Sequence, residues 1–186
     1  MRVERVVLVN ERDEEIGTEE KLRAHQLRLM HRAFSVFLIN SAGKILLQRR
    51  AEQKYHSAGL WSNTACGHPR PGEPVDAAAR RRLREEMGVD CALAEVAAFT
   101  YCLAVTEELT ENEFDHVFVG VWNGTPNPDP AEVAEWDWRA PEALARELQT
   151  HPDRFSRWLP LAWEAVRGSA TVRGDRLAAV LKPRLL

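Results

Sequence analysis

The chain has 186 residues, 25 Lys and Arg against 28 Asp and Glu, a formal net charge of −3, and 45% hydrophobic residues. That length suits one domain able to bury a core without disulfide staples. The weak charge gives no ground for a nucleic-acid or anionic-membrane partner, three cysteines without framework spacing exclude a disulfide-built scaffold, and no apolar run approaches the roughly 20 residues of a membrane span.

The N-terminus, MRVERVVLVNERDEE, lacks a basic start followed by a long apolar core. It is not read as a signal peptide, and the expected compartment is the cytoplasm. Residues Val3–Val9 read as a first strand. Ala33–Asn40 and Lys44–Gln48 read as two more, joined by Ser41-Ala42-Gly43, a hairpin turn with a glycine available for positive φ. A helix is predicted over Val75–Met87, with Pro74 at its start, Asp76 in its first turn and Gly88 past its end. Val96–Val105 and Phe114–Trp122 form a second strand pair. Gly124-Thr125-Pro126-Asn127-Pro128-Asp129-Pro130 is a rigid surface loop, too short to separate domains. Helices follow at Pro141–Leu148 and Pro152–Val166, the latter closed by Gly168. Paired strands with helices between and after them predict an α/β fold of the α+β kind, a mixed β-sheet flanked by helices. One domain is expected over residues 1–186, with a tail of about 169–186 left unassigned.

Chemistry concentrates in a few segments. Gly67–Val89 is a glycine-bearing loop and a helix ending in Glu85 and Glu86. Carboxylates at a helix C-terminus sit at the unfavourable end of its dipole. A divalent cation holding a diphosphate would compensate; so would simple pairing with Arg81 and Arg82 four residues earlier. His25, His31 and His68 join Glu111 and Glu113, whose i, i+2 spacing on an extended chain turns both carboxylates to one side. Three imidazoles and two carboxylates make a divalent-metal site, and six-fold coordination would favour manganese or magnesium over closed tetrahedral zinc. His56, His116 and His151 lack such company and read as structural or solvated; Cys91 and Cys102 read as packing residues. Cys66 alone would be a small buried hydrophobe. Within Trp-Ser-Asn-Thr-Ala-Cys-Gly-His-Pro it lies beside the metal candidates and ahead of a helix, a setting for a lowered pKa or an acid/base role.

Gly67, Glu73, Arg81, Leu83, Glu85, Glu86, Gly88 and Val89 resemble the Nudix box, with Arg82 where Nudix hydrolases carry a glutamate. The exchange removes a metal ligand that a pyrophosphohydrolase needs and adds a cation useful for holding a diphosphate intact. The Cys66-containing segment, the altered box and Glu111-Asn112-Glu113 together resemble type 1 isopentenyl-diphosphate isomerases, from about Val3 to Trp163. The resemblance implies a Nudix-like fold and interconversion of isopentenyl and dimethylallyl diphosphate through a carbocation, in isoprenoid biosynthesis. It implies Cys66 and Glu113 as acid/base pair on opposite faces of the substrate, Tyr101 assisting beside Glu113, and Trp158 facing the cation. Trp61 is a further pocket candidate. Protein ligands of one divalent metal (manganese, zinc or magnesium) would be His25, His31, His68, Glu111 and Glu113, with Cys66 beside them as another candidate. Glu86 would help hold a Mg2+ arriving with the diphosphate, and Lys21, Arg50, Lys54 and Arg82 would clamp that diphosphate. Glu73 and Glu85 look structural. The expected partner is the small-molecule diphosphate, and the expected state a monomer or weak dimer. Two rival readings stand beside it: a Nudix pyrophosphohydrolase acting on a nucleoside diphosphate derivative, and a non-catalytic module stapled by zinc. Arg82 and the Cys66/Glu113 pair weigh against the first. The second leaves Cys66, Glu86 and the basic residues without a joint purpose.

Overall fold

Strand β3 (His31–Ile39) is buried almost end to end, which matches its near-continuous apolar run, AFSVFLI. The computed structural model describes residues 3–172, so most of the unassigned tail, 173–186, lies outside the described residues. In chain order β3 follows β1 (Arg5–Val9), β2 (Glu15–Glu20) and a short helix α1 (Lys21–Gln26). After it come β4 (Ile45–Arg50), β5 (Trp61–Ser62), β6 (Ala65–Gly67), α2 (Val75–Met87), β7 (Ala94–Ala104), β8 (Thr110–Val121), β9 (Val133–Arg139), α3 (Pro141–Thr150) and α4 (Leu159–Val172).

The strands make one mixed sheet. β3 runs parallel to β8 from His31↔Glu113 to Ile39↔Val121. Its other edge is shared by three antiparallel neighbours: β1 at His31, β6 at residues 34–36 and β4 at Leu38 and Ile39. β7 extends the sheet beyond β8, β9 and β5 pair with β4, and β2 flanks β1.

Alternation along β3 sends side chains to two faces. On one, Phe34, Val36 and Leu38 pack with Phe118 against Ala78, Ala79, Leu83 and Met87 of α2. The four-residue steps from Ala79 to Leu83 to Met87, with Ala78 beside them, give α2 a single buried stripe. On the other, Phe37 and Ile39 pack with Val117 and Val119 against Leu144 of α3 and Leu159, Ala162, Trp163 and Val166 of α4. Toward the His31 end of this second face, apolar residues give way to His31, Ser35, Glu113 and Asp115, all buried.

The helix expected over Val75–Met87 has those bounds, and Gly88 ends it at φ 65° with its N–H on the Arg84 carbonyl. The β7–β8 pair forms as expected. The Ser41-Ala42-Gly43 turn also forms, with Gly43 at φ 73°, but its strands share only two residue pairs. Thr64 parts them: its Oγ1 accepts from the Leu38 amide at 2.9 Å and donates to the Leu46 carbonyl at 2.6 Å. The helix expected from Pro152 begins instead at Leu159. Pro152–Arg154 is a 3-10 turn, and Phe155 runs extended beside Trp61. Pro160 explains the break, since it would cost an interior hydrogen bond in a continuous helix but none at a first turn. The sequence reading missed β2, α1, β5, β6 and β9. Among the described residues, no helix is long and apolar enough to cross a membrane.

A Cβ on Gly88 would lie 2.4 Å from the Asn127 carbonyl oxygen. Gly88→Ala should therefore lower unfolding free energy by more than about 1 kcal/mol. The check is the urea midpoint at unchanged slope; an unaltered midpoint would contradict this close approach.

Candidate active site

His25 comes from α1, His31 from the first position of β3, His68 from just past β6, and Glu111 and Glu113 from the start of β8. One ligand atom from each of these five residues lies within 4.8 Å of all the others. The chain fixes two of the rings. His25 Nδ1 is 2.6 Å from the Lys21 carbonyl and His31 Nδ1 is 2.8 Å from the Leu29 carbonyl. A carbonyl only accepts, so Nδ1 carries the hydrogen and the neutral ring turns the lone pair of Nε2 inward. His25 Nε2 and the Glu111 Oε2 atom are 2.9 Å apart, yet both are buried without a hydrogen-bond partner. Each is aimed at the shared centre of the cluster. His68 Nε2 approaches Glu113 Oε1 at 2.9 Å and His31 Nε2 at 3.2 Å.

This donor set fits a divalent cation. The electrostatics agree. Burial opposes charge on His25, but Glu111 outweighs it and raises the proton affinity of the ring. Burial also opposes ionisation of Glu111 and Glu113, yet the attraction of His25 and His56 for Glu111, and the pull of His31 on Glu113, hold both below the usual carboxylate range. The cluster attracts a cation, whether proton or metal.

Next to the cluster lies a cavity of about 350 Å³, within the range of small-ligand sites. Cys66 and Glu113 both open into it from strands on opposite edges of β3. Burial pushes the Cys66 thiol up to about 12, against the pull of Arg50. Lowering, which the sequence setting also allowed, is thus not what the surroundings do; the thiol keeps its proton. Tyr101 sits opposite Glu113 in the β7–β8 ladder and donates its hydroxyl to Glu113 Oε2. Burial and the Glu113 charge hold Tyr101 well above the ordinary phenol range. Beneath them Ser35 Oγ donates to Asp115 Oδ2 at 2.9 Å. Burial and Glu113 raise Asp115 well above its ordinary range.

Four basic residues, Lys21, Arg50, Lys54 and Arg82, also line the cavity. Arg50 is 6% exposed, lies 3.9 Å from Cys66 Sγ and sits over the Trp158 ring at 5.3 Å. Trp158 is held by its indole N–H on Asn63 Oδ1 at 3.1 Å. Arg82 binds Glu86 at 2.6 Å, Glu85 at 2.9 Å and Glu132 at 2.9 Å. Lys54 pairs with Glu132 as well, and Lys21 with Glu4 at 3.2 Å. Glu86 is 2% exposed and also accepts from Gln48 Nε2 at 2.5 Å, so simple solvated pairing does not describe it. Glu73 holds Arg81 through two bonds of 2.7 and 2.8 Å, and Glu85 is exposed; both look structural here too.

One expectation needs correction. Trp61 does not line the cavity. It is buried in the core beside Phe155, with Arg139 over its ring, because the β5 segment inserts beneath the turn before α4. Of the two readings open for His56, structural or solvated, the structural one applies: it is 7% exposed and its Nε2 lies 3.0 Å from Glu111 Oε1. Gln48, Asp115 and Glu132 were also missed. No spacing rule joins residues brought together by β3, β4, α2 and β8.

Residues 29–159 match the NUDIX domain family. The fold agrees: a Deinococcus radiodurans crystal structure superposes with a TM-score of 0.72 at 24% identity, covering 87% of this chain and 99% of that one. A MutT protein from Methanosarcina mazei Go1 gives 0.61 at 21% identity, covering 75% and 94%. These likenesses, with the box on α2, define a Nudix-fold protein. Two relatives narrow the class. An isopentenyl-diphosphate Delta-isomerase of Serratia proteamaculans is 46% identical over 176 residues, 95% of this chain and 98% of the relative. Isopentenyl-diphosphate Delta-isomerase 1 of Aromatoleum aromaticum is 51% identical, covering 84% and 88%. The chain belongs to the isopentenyl-diphosphate Delta-isomerase family within the Nudix superfamily.

Thiolate, not thiol, is the form that alkylates. With its thiol raised to about 12, Cys66 should remain largely unmodified by iodoacetamide at neutral pH while exposed Cys102 reacts. Labelling of Cys66 should climb as pH rises toward that value. Peptide mass analysis decides; equal labelling at pH 7 would contradict the protonated thiol.

Proposed function

We propose that this chain interconverts isopentenyl and dimethylallyl diphosphate, with Cys66 and Glu113 exchanging protons with opposite faces of the five-carbon chain. One observation carries the reading: the Cys66 thiol, which burial pushes up, and the Glu113 carboxylate, held below its usual range, open into the same cavity from opposite edges of β3. The pair therefore starts with one proton to give and one place to receive it.

In the forward direction the Cys66 thiol protonates the terminal methylene carbon of the alkene. The C=C electron pair forms the new C–H bond and leaves positive charge on the tertiary carbon. Glu113 then takes a proton from the methylene next to it, on the diphosphate side, and that C–H pair becomes the new double bond. Cys66 ends as thiolate and Glu113 as acid; proton exchange with solvent resets them. Arg50 lies close enough to Cys66 to favour the thiolate. Tyr101 holds Glu113 in place through its hydroxyl. Trp158 presents a ring face to the positive charge, a contribution of roughly 2 kcal/mol when water is excluded.

His25, His31, His68, Glu111 and Glu113 would hold a manganese, zinc or magnesium ion, whose charge tunes the proton affinity of Glu113, while Glu86 would hold the Mg2+ that travels with the diphosphate. Arg50, Lys54, Arg82 and Lys21 would clamp the diphosphate oxygens. Residues 1–186 act as one catalytic domain, in the cytoplasm, where the three cysteines stay thiols. Arg82, standing where Nudix hydrolases carry a glutamate, weighs against the pyrophosphohydrolase alternative.

Incubation with isopentenyl diphosphate in deuterated buffer should give dimethylallyl diphosphate carrying solvent deuterium, by mass spectrometry and NMR. Release of inorganic phosphate without it would favour the hydrolase. Cys66→Ala and Glu113→Gln should each cut kcat by about 10²-fold or more, with folding intact; near-normal turnover in either excludes its proton-transfer role. Trp158→Leu should lower kcat about 30-fold if the aromatic face contributes the stated energy. An unchanged kcat removes Trp158 from the chemistry.

A further inference from the structure

We propose that His56 is a positioning residue for the metal centre, holding one oxygen of Glu111 so that the other is turned toward the ligand histidines. The proposal rests on the metal-site reading above and extends it to a residue outside the five ligands.

The geometry divides Glu111 in two. Its Oε1 atom is 3.0 Å from His56 Nε2. Its Oε2 atom faces His25 Nε2 at 2.9 Å and has no hydrogen-bond partner. A carboxylate only accepts, so His56 Nε2 must carry the hydrogen and donate it. Nδ1 is then the acceptor nitrogen, and the Ser57 hydroxyl stands 3.3 Å from it. The ring is therefore oriented at both nitrogens, in the tautomer that cannot offer Nε2 to a metal. His56 serves the site through Glu111.

His56 is itself held in place. Its carbonyl accepts from Arg50 Nη2 at 3.2 Å, and its ring meets Trp158 edge-on at 5.9 Å. The neighbouring residue, Ser57, takes a positive φ of 51°, an uncommon backbone setting that fixes the direction of the loop. The terminal torsion of a glutamate is broad and soft. A donor on one oxygen narrows it before any ion arrives. Hydrogen bonds of this kind to metal ligands are typically worth 10- to 100-fold in metal affinity.

The test is titration of metal-free full-length protein with Mn2+ alone, against a fluorescent divalent-ion chelator. His56→Phe keeps a ring to pack on Trp158 but donates nothing, and should weaken Mn2+ binding by about 10- to 100-fold. His56→Gln supplies an amide donor at similar reach and should stay within a few-fold of the parent protein. If His56→Phe does not fold, His56→Ala takes its place with the same expected loss. Parent-like affinity in the variant without a donor overturns the proposal. So does equal loss in His56→Gln, which would mean that only the ring's shape matters. A parent protein that binds no Mn2+ would instead overturn the metal-site reading beneath it.

Discussion

The parallel ladder between β3 and β8 sets His31 opposite Glu113 and keeps both on the face that carries the cavity. Side chains alternate along a strand, so a slip of one residue would send Glu111, Glu113 and Asp115 to the side packed by α2. Nine residue pairs resist that slip, and the lower ones bring Phe37, Ile39, Val117 and Val119 into one core. Apolar packing at one end of the ladder thus aligns ionisable groups at the other.

Those groups are costly to bury. Charged side chains lose hydration in a sheet interior, and that loss is recovered only by well-placed partners. Here the partners are each other: imidazoles for carboxylates near α1, and Lys54 and Arg82 for Glu86 and Glu132 near α2. Each half leaves something over. The imidazole half has inward-facing atoms that no protein group satisfies, and the arginine half holds cations next to open space. A site built only for stability would leave neither.

Much of this was legible in residue order. The α2 helix, its left-handed glycine cap and the β7–β8 pair follow from local rules about caps and alternation. The clustering of His25, His31, His68, Glu111 and Glu113 follows from residue type, from strand alternation at 111 and 113, and from a family likeness. What escaped reading has a common cause. β5 and β6 are two and three residues long, too short for any periodicity. β9 reads VAEWDWR, with acids where its outer face meets solvent, so its apolar alternation is weak. His56 had no ligand-like neighbour in sequence; its partner lies more than fifty positions away, across a loop whose path only tertiary packing decides. Trp61 was misplaced because an aromatic near a reactive cysteine suits a pocket wall and a core equally well on paper.

The hydroxyl of Thr64 bridges the Leu38 amide and the Leu46 carbonyl, so the two strands can diverge without stranding a polar backbone group. That divergence lets β6 join the edge of β3 and carry the Cys66 sulfur into the cavity. Valine has nearly the same shape but could answer neither group, and the strands would be drawn back toward direct pairing at the expense of the gap. The placement of Cys66 in the cavity therefore hangs on one buried oxygen atom that does not line it.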